Sequence, residues 1–513
     1  METKKQVCRW DMFELELKSE TVPQRPVQEV FLQARFQNGA EVKTVYGFYD
    51  GGKTWKIRFM PEKAGEYCYE TVSNLPSLTG TKGSFLCTEP GPDNHGPVRT
   101  EQNAHFSYAD GTPFFVMGTT AYVWHYRPAE IRKKTLASFS QFGFNKIRML
   151  FFPKYYTGDY GDVEASYDPP VYPFAGASGS FDFQSPNPEY YRRFEARLIE
   201  LQRLGIEADV ILFHPYDGGK WGIDDGMKEK DDYLYLRYIT ARLSAFRNVW
   251  WSLANEYDLF FLHPNCRSSL KKSIDGWDQI GKAVAEQDPY GHPVSIHNFP
   301  YSPIYPKRPW MTHVSYQHPN TYSLLMQLRQ EYALPVINDE YQYEGNLRDE
   351  WGNSDAETTL FRHLTAVFAG GYATHGEAFV IDGNRKDVFW AYGGTITGES
   401  APRLRFFKKL IMQCDYQRLT PDYTYGDGLN SFVLSDGKGV SLHFYRRCLS
   451  GKPIRFAVFD AGAQYRATVY NIWDCSCAGP QIVSADTALP LRDWDLVKIE
   501  KLPPSSGRAE QEK

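Results

Sequence analysis

No stretch of the 513-residue sequence approaches the roughly 20 apolar residues that a membrane-spanning helix requires, which excludes a bundle of such helices. Cysteine is sparse and scattered: eight residues, at 8, 68, 87, 266, 414, 448, 475 and 477, of which only Cys475 and Cys477 are close together. A structural zinc site usually shows two CxxC-like pairs, and the sequence has none. Thiols without a disulfide framework fit a reducing compartment. An excess of one charge is also missing. The 57 Lys and Arg against 62 Asp and Glu leave a net charge of −5, mixed along the chain, with no basic footprint for nucleic acid. The first 20 residues lack the apolar core of a signal peptide, so the expected location is the cytoplasm, with no membrane partner.

Aromatic residues are abundant, with 12 Trp, 35 Tyr and 33 Phe. Flat rings suit the apolar C–H faces of sugars, and they are equally good core material. The pattern along the chain changes twice, dividing it into three regions and a tail. Residues 1–92 read as short alternating strands at 27–36, 43–49, 54–59, 65–72 and 83–87, parted by Asn38-Gly39, Asp50-Gly51-Gly52 and Pro61-Glu62-Lys63. That is the pattern of a small antiparallel β-sandwich. A Pro/Gly-rich linker follows at 89–97. Residues 417–505 return to β segments at 431–434, 439–445, 454–458 and 466–471, a second sandwich, and 506–513 read as a disordered tail.

Residues 100–416 alternate short apolar runs with amphipathic helical stretches. Strand ends are expected at 114–118, 146–151, 207–213, 249–254, 293–297, 312–316, 335–338 and 369–373. Helices are expected at 128–142, 189–204, 232–246, 270–286, 323–332 and 356–368. Eight such units predict an α/β fold, a (β/α)8 TIM barrel flanked by the two sandwiches. The long loop 153–188 then falls at the barrel mouth, where loops shape the site.

Two apolar runs end in a carboxylate: Val249-Trp-Trp-Ser-Leu-Ala-Asn-Glu256 and Leu334-Pro-Val-Ile-Asn-Asp-Glu340. By count these close strands four and seven, so Glu256 and Glu340 face each other across the mouth. Opposed carboxyls are what glycosidic cleavage needs. One is protonated, to give a proton to the leaving oxygen. The other is ionised, to attack the anomeric carbon or activate water. Arg148, in Lys146-Ile-Arg-Met-Leu150, is placed to keep one of them ionised.

Strand four ending in Asn-Glu and strand seven ending in Glu resemble the large clan of retaining barrel glycosidases. That resemblance implies that Asn255 holds a sugar hydroxyl, Glu256 is the acid/base and Glu340 the nucleophile. The three-part layout resembles the apiosidase-like barrel proteins. It is carried by Gly47-Phe-Tyr-Asp-Gly-Gly-Lys-Thr-Trp55, Arg58-Phe-Met-Pro-Glu62 and the barrel opening Gly111-Thr-Pro-Phe-Phe-Val-Met-Gly118. Some of that group carry Asp on strand four, where this chain has Glu256.

Further residues are expected around the substrate. Trp124, Trp221 and Trp390 follow strands one, three and eight and are candidate walls for a sugar ring. His214, His297, His318 and Tyr316 stand at strand ends, as does Glu377 in Thr374-His-Gly-Glu-Ala378, and they are candidates for binding sugar hydroxyls. The histidines raise a metal-dependent barrel hydrolase as an alternative. That class usually has His-x-His on strand one, where this chain has the lone His125, so no metal or other cofactor is expected. A non-catalytic carbohydrate-binding barrel is the other alternative. The expected partner is a small carbohydrate or glycoside, in a homo-oligomer if a neighbouring subunit's loops close the pocket.

Overall fold

The computed structural model describes residues 5–100, 104–156, 167–217, 220–221, 223, 227–259, 272–381, 388–424, 426–446, 454–455, 460, 462–484 and 487–503. The expectations for the tail 506–513, for Cys266 and Cys448, and for parts of the 153–188 loop, the 270–286 helix and the 454–458 strand lie outside these residues.

Eight parallel strands build the centre: Met117–Thr120, Lys146–Leu150, Glu207–Phe213, Val249–Ala254, Val294–Ser295, Val314–Gln317, Val336–Glu340 and Tyr372–His375. Numbered in that order they lie side by side as 5-4-3-2-1-8-7-6. The ring closes between strands five and six, where the Thr312 N–H donates to the Val294 carbonyl at 3.0 Å and the Val294 N–H donates to Thr312 Oγ1 at 2.7 Å. Strand four, Val-Trp-Trp-Ser-Leu-Ala, is buried along its whole length, as a strand covered on both faces must be. The result is a (β/α)8 barrel.

Two details differ from the sequence reading. The first barrel strand is Met117–Thr120, a few residues later than the expected 114–118. Pro113–Phe114 instead pairs antiparallel with Phe106–Tyr108, in a small sheet with Val98–Thr100. This sheet floors the barrel, with the Phe106 ring 4.9 Å from that of Trp250. The second difference is an added helix, Ser400–Ile411, beyond the six expected. Helices Ala129–Phe142, Pro188–Arg203, Glu229–Leu243, Ile274–Gln287, Ser323–Tyr332, Ala356–Phe368 and Ser400–Ile411 cover the strands. Between strands five and six the chain crosses irregularly. There the Trp310 indole donates to Asp278 at 2.7 Å and lies against Gly281, where a Cβ would come within 2.3 Å of the ring.

Helix formation follows local chemistry. In Pro188–Arg203, Asn187 caps the N-terminus by accepting from the Glu189 N–H, and Pro188 occupies the first turn. Tyr190, Tyr191, Phe194, Leu198 and Leu201 form its buried stripe.

Residues 6–88 form a seven-stranded sheet. It is antiparallel except for Gln6–Cys8, which pairs parallel with Lys82–Thr88. The long strand Glu41–Gly51 pairs with Leu32–Asn38 through one half and with Thr54–Phe59 through the other. The sheet thereby folds over on itself, stacking Phe13 on Phe85 at 4.2 Å and Phe36 on Phe59 at 4.0 Å. Gly47 stands where the pairing changes, with room for no Cβ between Leu32 and Ile57. Buried charges pin this sheet to the barrel. Arg242 pairs with Glu195 at 2.6 Å and Asp50 at 2.9 Å, and Arg58 pairs with Glu195 at 2.9 Å.

A six-stranded antiparallel sheet follows the barrel, and includes Ser476–Val483 and Asp495–Lys501, strands not anticipated from the sequence. Its Phe432 and Phe444 lie on the barrel helices, against Phe361 and Phe368, each at 5.7 Å. One continuous apolar core runs from Phe48 through the barrel to Phe444. Among the described residues no helix is long and apolar enough to cross a membrane.

Candidate active site

A cavity of about 280 Å³ opens at the C-terminal end of the barrel strands, and both Glu256 and Glu340 line it. Each carboxylate is aimed by an irregularity in the backbone. Across strands six and seven, Tyr316 pairs with Asn338 but Gln317 with Glu340. Asp339 is therefore the extra residue of a bulge. Two successive acids reach into the barrel, where a regular strand would turn one of them away. Glu256 follows strand four with φ +46°, a left-handed conformation that costs a residue with a Cβ about 1–2 kcal/mol. Gln342, at φ +74°, also lines the cavity. Strain of this kind collects where a side chain must be re-aimed.

The two carboxyls sit in opposite surroundings. Glu340 Oε1 accepts from Arg148 Nη1 at 2.7 Å and from the Tyr122 hydroxyl, and His297 Nε2 stands 3.7 Å away. Burial works against the charge on Arg148, but Tyr122, Asp339, Glu340 and Asp209 outweigh it and hold the guanidinium firmly protonated. Burial, followed by the Arg148 charge, drives His297 well below its usual range, so it faces Glu340 as neutral imidazole. Glu256 accepts from Tyr216 Oη at 2.5 Å. Burial, and then the charge of Glu340, push it up to about 8, against the opposing effects of Tyr216 and Lys154. Lys154 lies over the Tyr216 ring at 3.9 Å and the Tyr156 ring at 4.7 Å.

Beneath the cavity, Lys146 bridges Asp209 at 2.6 Å and Asp339 at 2.9 Å. Asp339 also accepts from Ser315 and Thr374, each at 2.6 Å. Burial opposes ionisation of Asp339, but Lys146 and Arg148 outweigh it and keep the group ionised. These paired charges form a buried base for Arg148, in which Asp209 Oδ1 and Arg148 Nε find no hydrogen-bond partner among the described residues.

Of the residues expected from the sequence, Glu256, Glu340 and Trp390 line the cavity, while Arg148, Asn255 and His297 stand directly behind the carboxyls. Asn255 accepts from Arg148 at 2.7 Å and donates to Tyr216 at 2.5 Å. His214 is a layer back, stacked on Tyr216 at 5.4 Å with its Nε2 3.2 Å from the Pro153 carbonyl.

The remaining candidates are elsewhere. Trp124 is wholly buried in the core against Phe139, because the chain after strand one turns into the short helix Trp124–Tyr126. Trp221 is buried beside Tyr172. Tyr316 points to the helix layer, because strand alternation gives the barrel interior to Ser315 and Gln317. His318 lies beside Tyr301, its Nδ1 accepting from the Asn320 N–H. Glu377 is held by the Thr397 and Gly398 N–H groups and the Thr397 hydroxyl, and anchors a loop.

Tyr122, Tyr156, Tyr216, Tyr343, Gln317, Gln342, Lys154 and Trp351 line the cavity without having been anticipated. For Tyr122 and Tyr216 a signal existed: each follows its barrel strand by two or three residues. No three His, Cys, Asp or Glu side chains among the described residues converge on a position suited to a metal ion.

A parallel barrel with two buried carboxyls lining one small cavity at the C-terminal end of its strands has the layout of a barrel hydrolase. Over residues 100–417, more than half its length, the chain matches the family described as apiosidase-like, catalytic domain, and it belongs to that family. The protein is a glycosidase. Residues 6–74 match a domain of unknown function, DUF5060. A Bacteroides vulgatus ATCC 8482 protein assigned to the glycoside hydrolases is 34% identical, with a TM-score of 0.86 over 97% of this chain and 100% of that one. A glycoside hydrolase family 5 protein from the same organism shares the fold at 16% identity, with a TM-score of 0.61 over 80% of this chain and 93% of that one. No curated protein matches the chain.

Proposed function

We propose that the protein is a retaining, exo-acting glycosidase that cleaves a small glycoside or oligosaccharide, an apioside, arabinofuranoside or related sugar. Glu256 serves as acid/base and Glu340 as nucleophile, on a barrel held between two β-sandwiches. The observation that carries this is the contrast in environment across the cavity. Glu340 accepts from Arg148 at 2.7 Å and from Tyr122, which favours the anion that attacks the anomeric carbon. Glu256 is raised to about 8 and so holds a proton for the leaving oxygen at neutral pH. After the leaving group departs, Glu256 takes a proton from the water that releases the sugar. A volume of about 280 Å³ lies at the small end of ligand sites and suits one or two sugar rings rather than a long chain. Trp390, ringed by Tyr122, Tyr156 and Trp351 at 4.7–5.7 Å, offers a flat face to ring C–H groups.

The test is covalent trapping. A panel of 2-deoxy-2-fluoro pentosides and hexosides with activated leaving groups is incubated with the protein, and the intact mass is read. One sugar of the panel is expected to add a single glycosyl mass, located on Glu340 by peptide mapping and lost in Glu340→Gln. Turnover of aryl glycosides without any adduct overturns retention. Binding of sugars without turnover favours the carbohydrate-binding alternative instead.

A further inference from the structure

The hydrogen-bond donors of this site have one consistent arrangement, and it determines which oxygen of Glu256 carries the acid proton. Arginine has only donors. Arg148 Nη2 lies 2.7 Å from Asn255 Oδ1, so the atom facing Arg148 is the amide oxygen, and the amide nitrogen is the one 2.5 Å from Tyr216 Oη. An amide nitrogen only donates, so the phenol oxygen accepts there. Among the described residues the single phenol hydrogen has one acceptor, Glu256 Oε2 at 2.5 Å, and it donates there. Oε2 accepts, and only Oε1 remains for a proton on Glu256. Among the described residues Oε1 accepts no hydrogen bond, and Glu256 borders the cavity.

We propose that Tyr216, oriented by Arg148 through Asn255, is a positioning residue that keeps the acid proton of Glu256 on Oε1, the oxygen that meets the leaving group. The inference rests on Glu256 being the acid/base. Burial holds Tyr216 well above the usual phenol range, so its hydrogen is retained. The same guanidinium donates to Glu340, so one buried cation orients the nucleophile directly and the acid at third hand.

During cleavage the O–H bond at Oε1 breaks as the proton passes to the leaving oxygen, and its electron pair stays on the carboxylate. The Tyr216 hydroxyl then donates to a charged acceptor, and a bond of that kind is about twice as strong as a neutral one. When water attacks the anomeric carbon, its proton returns to Oε1. The charged and titratable groups facing Glu256 are Tyr216, Lys154, Glu340, Asp258 and Tyr122.

Infrared difference spectroscopy on the full chain labelled with carboxyl-13C glutamate tests this without substrate. The protonated-carboxyl band that is absent in Glu256→Gln belongs to Glu256. In the wild-type protein it is expected at the low frequency of a C=O that accepts a hydrogen bond, and to disappear as pH rises through about 8. In Tyr216→Phe the band is expected to move to higher frequency and its midpoint to higher pH, because a hydrogen bond that favours the anion is gone. Asn255→Asp turns the phenol hydrogen away toward a new acceptor, and is expected to give the same upward move in frequency although Tyr216 is intact. A purely structural Tyr216 leaves that variant's band in place. Band and midpoint unchanged in Tyr216→Phe, or the band unchanged in Asn255→Asp, overturn the proposal. Glu256→Ala separately tests the acid/base reading. If it loses as much activity on dinitrophenyl glycosides as on poor leaving groups, that reading fails, whatever the infrared result.

Discussion

Replacing Glu256 by Gln removes a titration while preserving the shape of the side chain and its left-handed backbone. The unfolded chain releases this proton near the ordinary Glu value of about 4.3, whereas the folded protein keeps it until about 8. Between those limits the native state binds the extra proton, so stability falls as pH rises and levels off above the folded value. Each unit of difference corresponds to about 1.4 kcal/mol, so the full penalty is on the order of several kcal/mol. Gln at this position stays neutral throughout. It is therefore expected to lie within about 1 kcal/mol of the wild-type protein near pH 5 and to exceed it by several kcal/mol at pH 9. Glu207, raised by burial to about 8, and Glu377, raised by burial to about 7, add the same downward slope in both proteins, so the difference between the two reports Glu256 together with its interaction with Glu340. The assay is urea unfolding by fluorescence at half-unit pH steps, with reversibility checked at each. Curves that stay parallel from pH 5 to 9 refute the reasoning, since they place Glu256 at its ordinary value. The same variant should lose about 10²–10⁴-fold in kcat on substrates with poor leaving groups, the usual worth of a general acid.

Lys154 favours the charged form of Glu256 across the cavity, so Lys154→Met is expected to move the alkaline limb of the kcat/KM profile to higher pH; a limb that stays or moves down contradicts this. Arg242→Leu leaves Asp50 and Glu195 buried with one cation fewer, and the loss expected from breaking such a group is about 3–5 kcal/mol, read as a lower urea midpoint with activity per folded molecule retained. Asp339→Leu strands Lys146 with a single carboxylate and removes the acceptor of Ser315 and Thr374. Both stability and kcat should fall, and an unchanged kcat in the folded fraction shows that Asp339 does not position Arg148 or Glu340.

The two cavity carboxyls were legible because barrel architecture turns a one-dimensional pattern into a place. An apolar run that ends in a carboxylate puts that acid at the mouth, whatever lies between the runs. Arg148 was legible for the same reason, as a charge inside a strand that had to be buried and paired. The aromatic walls were not. Whether a ring beyond a strand end faces the cavity depends on how the next few residues turn, and periodicity does not record a turn. Trp124 lies two residues past Tyr122, yet it packs against Phe139 while Tyr122 bonds Glu340. His214 ends its strand, yet Tyr216 two residues on reaches Glu256. Tyr316 shows the complementary failure, since strict alternation should have sent it outward once Ser315 was placed inside. Alternation then breaks at the bulge of strand seven, where Asp339 and Glu340 both enter the barrel. That irregularity serves two tasks that one regular strand cannot. The first acid pairs with Lys146 in the layer below, and the second lines the cavity. The Asn-Asp-Glu run spells out both acids, but it takes the register against strand six to show that they work on the same face.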